Sequence, residues 1–234
     1  MLRIIRIFPA ALVILFWMLA VAGRFWSNGI AYGLDYGIFQ PDGAHYTYRT
    51  LVFLGSSPIE SSIKVAEWYQ ANGFKNNFFD PSLLRPESTG TWGLVAPRVL
   101  YSFLSMPFVL ILGINGMLVI PILSFLTLLL VAQYFSQKII GAFLGIIVVL
   151  SLSTSPTILR WMVANLTDGL LAALFGLVAI LLYKHGDCQL WKTKILTLIL
   201  LTSATRFSLP IWIGIALILL INSKSRATLA CFSL

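Results

Sequence analysis

Apolar runs whose lengths approach or exceed the thickness of a membrane dominate this chain. They lie at about 7–22, 99–112, 115–135, 139–155, 169–183 and 195–222. A helix needs roughly 17 to 25 predominantly apolar residues to cross the hydrocarbon core of a bilayer. Several of these runs come near that length or pass it, and their spacing indicates multiple passes. The pattern therefore predicts an all-α fold, a polytopic bundle of transmembrane helices.

The composition excludes an ordinary soluble domain. Of the 234 residues, 59% are hydrophobic and 10% are charged, whereas roughly a quarter of the residues of a soluble protein are charged. The net charge of +8 would suggest nucleic acid in a soluble protein, but here the Lys and Arg residues stand mostly at the ends of apolar runs and in loops. We therefore expect membrane lipids as partners and no nucleic acid.

Basic residues at the amino terminus orient the first helix. Arg3 and Arg6 precede its apolar run and place the following loop outside. The run could be a signal peptide, but it is long for one, and we favour a retained helix. We expect a multi-pass protein, of a bacterial plasma membrane. The chain reads as one transmembrane domain, 1–234, with a first membrane helix at 7–22, an outer loop carrying short juxtamembrane helices at 23–98, and further membrane helices at 99–222.

Two later runs depart from a simple crossing. The run at 99–112 is short, so we expect it to lie in the interface or to re-enter. Lys184 and Lys224 indicate that the loops carrying them lie inside. Four full crossings after the outer loop would return the chain to the outside, which conflicts with this. The run at 195–222 carries Arg206 and Pro210 near its middle, which predicts two half-length helices that meet at a polar break.

The outer loop concentrates the acidic residues and carries two short helices. Six of the eight acids of the chain lie in it: Asp35, Asp42, Glu60, Glu67, Asp80 and Glu87. The first helix is predicted to begin with Asp42 as its N-cap and to stop at Gly55. The second begins at the capping box Ser57-Pro58-Ile59-Glu60 and ends before Gly73. An apolar stripe predicts that the second helix lies flat on the membrane or packs over the bundle: Ile59, Ile63, Ala66 and Tyr69.

Polar side chains share one face of the first loop helix. Asp42, Tyr46 and Arg49 follow at spacings of four and three, with His45 beside them and Phe53 further along. Asp42 is either an N-cap contributing roughly 1 kcal/mol or a general base or metal ligand at the membrane face. Arg49 suits a phosphate as well as a salt bridge to Asp42.

Three more charged residues are candidates. Asp35, in the segment YGLDYG, could be a second carboxylate for base or metal duty, or a turn residue. Asp168 heads an apolar helix, where the helix dipole explains it structurally and where an ionisable group is also a functional candidate. Arg206 would lie near the bilayer centre in a straight helix, which costs several kcal/mol, so a phosphate or pyrophosphate is a natural counter-ion.

The sequence gives little support for a metal site. His45 and His185 are too isolated for a zinc site made of protein ligands alone. Cys188 and Cys231 lack metal-ligand spacing, and we interpret them as free thiols. No metal ligands are therefore assigned, and a divalent metal stays open as a cofactor.

With these features placed, the layout resembles the GT-C superfamily of membrane glycosyltransferases, which includes protein mannosyltransferases and aminoarabinose transferases. That family has a first membrane helix and a long outer loop in which an acidic residue opens a juxtamembrane helix. PDGAHYTYRTL is similar to this motif, with Asp42 at the acidic and Tyr46 at the aromatic position. Three later stretches resemble the family's second segment, its acid-headed helix and its basic helix break: APRVLYSFLSMPFVLILG, NLTDGLLAALFGLVAILLY and SATRFSLPIWIGIALILL.

The resemblance implies inverting transfer of a sugar from a polyprenyl-phosphate donor to an acceptor on the outer face. In that scheme Asp42 is the general base and Arg49 or Arg206 stabilises the departing phosphate. His45 and Tyr46 are candidate substrate-binding residues, and Asp35 and Asp168 candidate catalytic carboxylates.

This chain departs from the family in two ways. Some relatives carry adjacent acids where this chain has Asp42-Gly43, and family members usually have more spans. We expect either a truncated product or a minimal module that needs a partner subunit. The alternative function is a non-enzymatic polytopic membrane protein, either a transporter or flippase-like subunit or an inactive module that keeps the layout.

Overall fold

A computed structural model describes residues 11–20, 40–71, 80–85, 98–164 and 166–184. Within these ranges the regular structure is entirely helical, which confirms the all-α prediction for this part of the chain. The α-helices are α1 Ala11–Ala20, α2 Pro41–Phe53, α3 Pro58–Ala71, α4 Val99–Leu112, α5 Val119–Ile140, α6 Ala142–Thr154, α7 Pro156–Val163 and α8 Asp168–Lys184. A 3-10 segment, Gly113–Leu118, joins α4 to α5.

The ends of α2 follow from local chemistry. Gln40 is the N-cap, with extended backbone, and Pro41 opens the helix, so the prediction of Asp42 as the N-cap is wrong by two positions. Proline suits the first helical position because its fixed φ is already helical and it has no N–H to leave unbonded. At the other end, Gly55 has φ +93. Its N–H donates a hydrogen bond to the Val52 carbonyl, and the Ser56 N–H donates one to the Leu51 carbonyl. This Schellman arrangement confirms Gly55 as the stop.

The start of α3 is also confirmed, but its apolar stripe is not. The Ser57 Oγ accepts a hydrogen bond of 3.2 Å from the Glu60 N–H. Of the four stripe residues, Ala66 and Tyr69 are buried, whereas Ile59 is 58% and Ile63 41% exposed. The buried residues of α3 are instead Ser61, Ser62, Val65, Ala66 and Tyr69. Small serines fit there because α3 packs closely on another helix rather than on lipid.

The chain folds back on itself after α4. The 14 residues of α4 extend about 21 Å, well short of a bilayer core. Gly113 then leaves the helical region with φ +62 and ψ −152, and Gly116 lies directly against the backbone of Phe108. The Tyr101 hydroxyl donates to the Met117 carbonyl at 2.5 Å. The apolar run at 99–112 is therefore the first arm of a short helical hairpin.

One stretch among the described residues is long and apolar enough to cross a membrane, Val99–Ile140. It is composite, because the hairpin interrupts it, and α5 supplies its long part. The 22 residues of α5 extend about 33 Å. The other apolar helices in the described ranges, such as Ala142–Thr154, are shorter.

Helices α6 and α8 pack along α5, which is the centre of the bundle. A Cβ on Gly145 of α6 would lie 3.0 Å from the Gln137 nitrogen, and a Cβ on Gly176 of α8 would lie 3.1 Å from a methyl of Val131. Small residues let these helices approach closely, as is common where helices associate within membranes. The Trp17 indole of α1 donates to the Ile122 carbonyl at 3.3 Å and so attaches α1 to the same helix.

Candidate functional site

The candidate site is organised around Tyr46, which is fully buried in the middle of α2. Its hydroxyl accepts a hydrogen bond of 2.9 Å from Nη1 of Arg98, and the Thr167 side chain is hydrogen-bonded to the same hydroxyl. The ring packs edge-on against Tyr101, with ring centroids 5.3 Å apart and planes at 79°. One side chain thus joins α2 to the entrance of α4 and to the entrance of α8.

Main-chain contacts reinforce the same junction. The Ser102 Oγ donates to the Tyr46 carbonyl at 3.1 Å. In the other direction the Thr50 hydroxyl shares its single hydrogen between the Tyr46 carbonyl at 2.9 Å and the Ser102 carbonyl at 3.2 Å. Because these groups are all buried, each bond satisfies polar atoms that would otherwise be costly to remove from water. The register of α2 against α4 is therefore fixed by polar contacts as well as by packing.

Three helix entrances meet at this junction. Arg98 is the residue before α4, Thr167 is the residue before α8, and α2 begins one turn before Tyr46. Side chains lean towards the amino-terminal end of their helix, so the Tyr46 ring points towards the start of α2. The start of α8 is held by Gly169, where a Cβ would lie 2.7 Å from the Met162 carbonyl oxygen. The positive ends of helix dipoles favour anionic groups at such a place.

Two of the predicted carboxylates belong to this arrangement. Asp42 lies exposed in the first turn of α2. It is close enough to oppose part of the lowering that burial causes in the pKa of His45 and to add to the raising that burial causes in the pKa of Tyr46. Asp168 is partly exposed as the first residue of α8, directly after Thr167. The structure therefore attaches both acid-headed helices to Tyr46. A carboxylate at the surface can accept a proton from an incoming hydroxyl group.

His45 and Arg49 have surroundings that differ from the prediction of a surface-presented face. Each is only 6% exposed, because α3 and α4 pack on α2 and cover its middle. Burial lowers the pKa of His45, the nearby Asp42 raises it and Arg49 lowers it. Burial also lowers the pKa of Arg49, and the nearby Tyr46 and Tyr48 raise it. The structure presents Asp42 at the surface and keeps Arg49 inside, so the polar face that the spacing predicts is divided between the surface and the interior.

Other predicted residues lie outside the described part of the chain. These are Asp35 and Arg206, together with His185, Cys188 and Cys231. In the part that the structure describes, no three His, Cys, Asp or Glu residues are grouped closely enough to hold a metal ion. Divalent metal therefore stays a prediction without an assigned ligand set.

Sequence reasoning missed Arg98 and Thr167 as members of the site. Arg98 stands at the end of an apolar run, where a cation commonly anchors the helix end, and Thr167 stands in Asn165-Leu166-Thr167, which matches a glycosylation sequon. Their positions in the sequence could have identified them. Arg98 directly precedes the helix that follows the outer loop, and Thr167 directly precedes Asp168, the acid that opens α8. Their shared contact with Tyr46 has no signature in the sequence.

Comparisons of the chain with protein-family models, with curated proteins and with solved structures gave no match.

Proposed function

We propose that this chain is a polytopic membrane glycosyltransferase-like protein that transfers a sugar from a polyprenyl-phosphate donor to an acceptor on the outer membrane face. The observation that carries the proposal is the arrangement at Tyr46, which joins the helix headed by Asp42 to the helix headed by Asp168 and to the Arg98 cation. Acids and a cation at helix entrances suit a substrate that carries both a hydroxyl group and a phosphate.

The surface of the described helices supports a membrane setting. The most exposed large apolar side chains cluster at the α4 hairpin and at the junction of α5 with α6: Leu110, Ile111, Ile139 and Phe143. Soluble monomers rarely expose apolar patches of this kind, whereas a lipid-facing surface requires them. Further passes, the outer position of the loop and a bacterial plasma membrane belong to the proposal.

In the proposed reaction Asp42 accepts the proton of the acceptor hydroxyl as its oxygen attacks the anomeric carbon of the donor sugar. The bond from that carbon to the phosphate oxygen breaks, the electron pair leaves with the phosphate, and the configuration inverts. The departing charge needs a cation or hydrogen-bond donor. Arg49 and Arg206 are the candidates from the sequence, while His45 and Tyr46 support the site around the base. Asp35 and Asp168 are candidate further carboxylates.

The alternative is a non-enzymatic membrane subunit. It has one supporting observation, a buried amide at Gln133 inside α5, because polar groups inside a membrane helix often mark a transport pathway. The proposed enzyme accounts for more of the polar residues, since those near Tyr46 lie at helix entrances rather than within a pathway.

The test is transfer of radiolabelled sugar from polyprenyl-phosphate donors in membranes that contain the wild-type chain or Asp42→Asn at matched levels. We expect the variant to lose about a hundredfold or more of the activity, the amount that a positioned base contributes. Glu67→Gln is the matched control, because Glu67 is an exposed acid on a different helix, α3. Unchanged activity in Asp42→Asn would remove this base, and an inactive wild type would favour the non-enzymatic alternative.

A further inference from the structure

Arg98 is a partly buried cation that lacks a counter-ion among the described residues. Its guanidinium donates to the Tyr46 hydroxyl at 2.9 Å, and no described carboxylate forms an ion pair with it. An ion pair in this part of the chain, between Lys64 and Glu60, is exposed and lies on α3. A guanidinium has five N–H donors, so Arg98 has donors to spare after its bond to Tyr46.

The hydroxyl that holds Arg98 does not neutralise it. Burial raises the pKa of Tyr46 above its ordinary value, against opposing hydrogen bonds from Arg98 and Thr167. Tyr46 is therefore a neutral hydroxyl and supplies no negative charge to the guanidinium. The hydroxyl acts instead as a fixed acceptor, because the ring that carries it is fully buried and packed against Tyr101.

The surroundings of Arg98 fit one class of ligand. A planar guanidinium binds phosphate through two parallel N–H···O contacts, which gives geometric specificity as well as attraction. Fixing the guanidinium beforehand lowers the entropy that is lost when the ligand binds. A neutral sugar would not use the charge of Arg98, whereas a phosphate would supply the counter-ion that the described residues do not provide.

We propose that Arg98 binds the phosphate group of the ligand and that Tyr46 is the positioning residue that holds its guanidinium for this contact. The identification of this phosphate as the leaving group rests on the proposed function, but the binding itself does not. The same chemistry could come from a lipid-linked phosphate or from free phosphate, and the experiment separates the two sources.

The experiment measures binding to the purified full chain in lipid nanodiscs, with no sugar donor or acceptor present. The probes are dodecyl phosphate, dodecanol as the chain-matched neutral control, and inorganic phosphate. We expect Arg98→Met to weaken dodecyl phosphate binding about tenfold or more, the value of a charge-assisted hydrogen bond, and to leave dodecanol binding unchanged. Lys138→Met removes an exposed cation at the far end of α5 and should change neither affinity.

Two conservative variants separate binding from folding. Tyr46→Phe keeps the ring and removes the acceptor, so we expect a smaller, phosphate-specific loss of affinity. Arg98→Lys keeps the charge and loses the planar geometry, so we expect partial recovery relative to Arg98→Met. Competition by inorganic phosphate would indicate a site for phosphate from either source, and its absence would indicate a lipid-linked one.

Clear outcomes would overturn the inference. The inference is wrong if the wild type binds dodecyl phosphate no better than dodecanol. It is also wrong if Arg98→Met leaves the affinity for dodecyl phosphate unchanged, or if Arg98→Met weakens the binding of both probes equally. If Arg98→Met does not fold, equal losses for both probes in Arg98→Lys and Tyr46→Phe overturn it in the same way. Because no transfer is measured, phosphate binding without sugar transfer would reject the proposed enzyme and leave the phosphate site standing.

Discussion

The Ser102 hydroxyl donates a hydrogen bond of 3.1 Å to the main-chain carbonyl of Tyr46, which joins α4 to α2 across 56 residues of sequence. The bond is buried, and it fixes the level at which Tyr46 meets Arg98. The same serine receives a bond from Thr50 at its own carbonyl. The site therefore depends on a polar contact between helices that are far apart along the chain.

The first prediction concerns this contact. Ser102→Ala should lower the free energy of unfolding by about 1 kcal/mol, because one buried hydrogen bond is lost. The measurement is thermal unfolding in detergent. Ser151→Ala is the control, since its hydroxyl bonds within its own helix at an exposed position, and it should change stability much less. Equal effects of the two substitutions would mean that the Ser102 contact does not hold the helices together.

The second prediction concerns the turn that closes the α4 hairpin. Gly116→Ala should prevent stable folding, because a Cβ there would overlap the backbone carbonyl of Phe108 and backbone atoms cannot move aside cheaply. Gly113→Ala meets no such atom but must adopt φ +62 and ψ −152, which costs about 1 to 3 kcal/mol. Yield of monodisperse protein and its melting temperature distinguish the two. A Gly116→Ala chain as stable as wild type would contradict the close approach.

The third prediction concerns Gln133, which is 4% exposed. Neither its amide nitrogen nor its oxygen has a hydrogen-bond partner in the ranges that the structure describes. Gln133→Leu should raise the free energy of unfolding by about 1 to 3 kcal/mol, because two unsatisfied polar atoms are replaced by an apolar group of similar size. Gln137→Leu, on the same helix but partly exposed, should have a smaller effect. Destabilisation by Gln133→Leu would indicate that the amide bonds a group outside those ranges.

The fourth prediction is a pH dependence of stability. The pKa of His45 in the folded chain lies below its ordinary value of 6.5, with burial as the main cause. The folded state then binds fewer protons than the unfolded state between that lowered pKa and 6.5. The contribution of His45 to stability is complete above this window and is lost as the pH falls through it.

Melting temperatures at about pH 7.5 and pH 5.5 bracket the upper part of the window. We expect the acid-induced decrease to be smaller in His45→Gln than in wild type. His185→Gln removes the other histidine of the chain and provides the control. An unchanged pH dependence in His45→Gln would show that other groups cause the decrease.

Several local features were predictable because short-range chemistry decides them. Gly55 ends α2 since a left-handed residue is needed there, and Ser57 opens α3 since its hydroxyl reaches the Glu60 N–H. The helical class and the start of α8 at Asp168 were likewise readable from periodic apolar runs and their boundaries. The N-cap of α2 was misplaced because Asp42 is a better capping residue than Gln40 by type, while Pro41 decides where the helix can begin.

Other features depended on contacts that no local pattern encodes. Spacing put Asp42 and Arg49 on one face of α2, yet packing by α3 and α4 exposes the first and buries the second. Packing also divides the apolar stripe of α3, because its buried side consists of small polar residues as well as apolar ones.

By itself the sequence determined that the described part of the chain is helical, that one stretch of it is long and apolar enough to cross a membrane, and that acids stand at the start of two of its helices. These properties follow from composition and from interactions a few residues apart. Only the tertiary structure decided that Arg98 and Thr167 meet at the Tyr46 hydroxyl. The physical reason is that burial and hydrogen bonding select partners by proximity in space, and the partners here lie 52 or more residues apart in the chain.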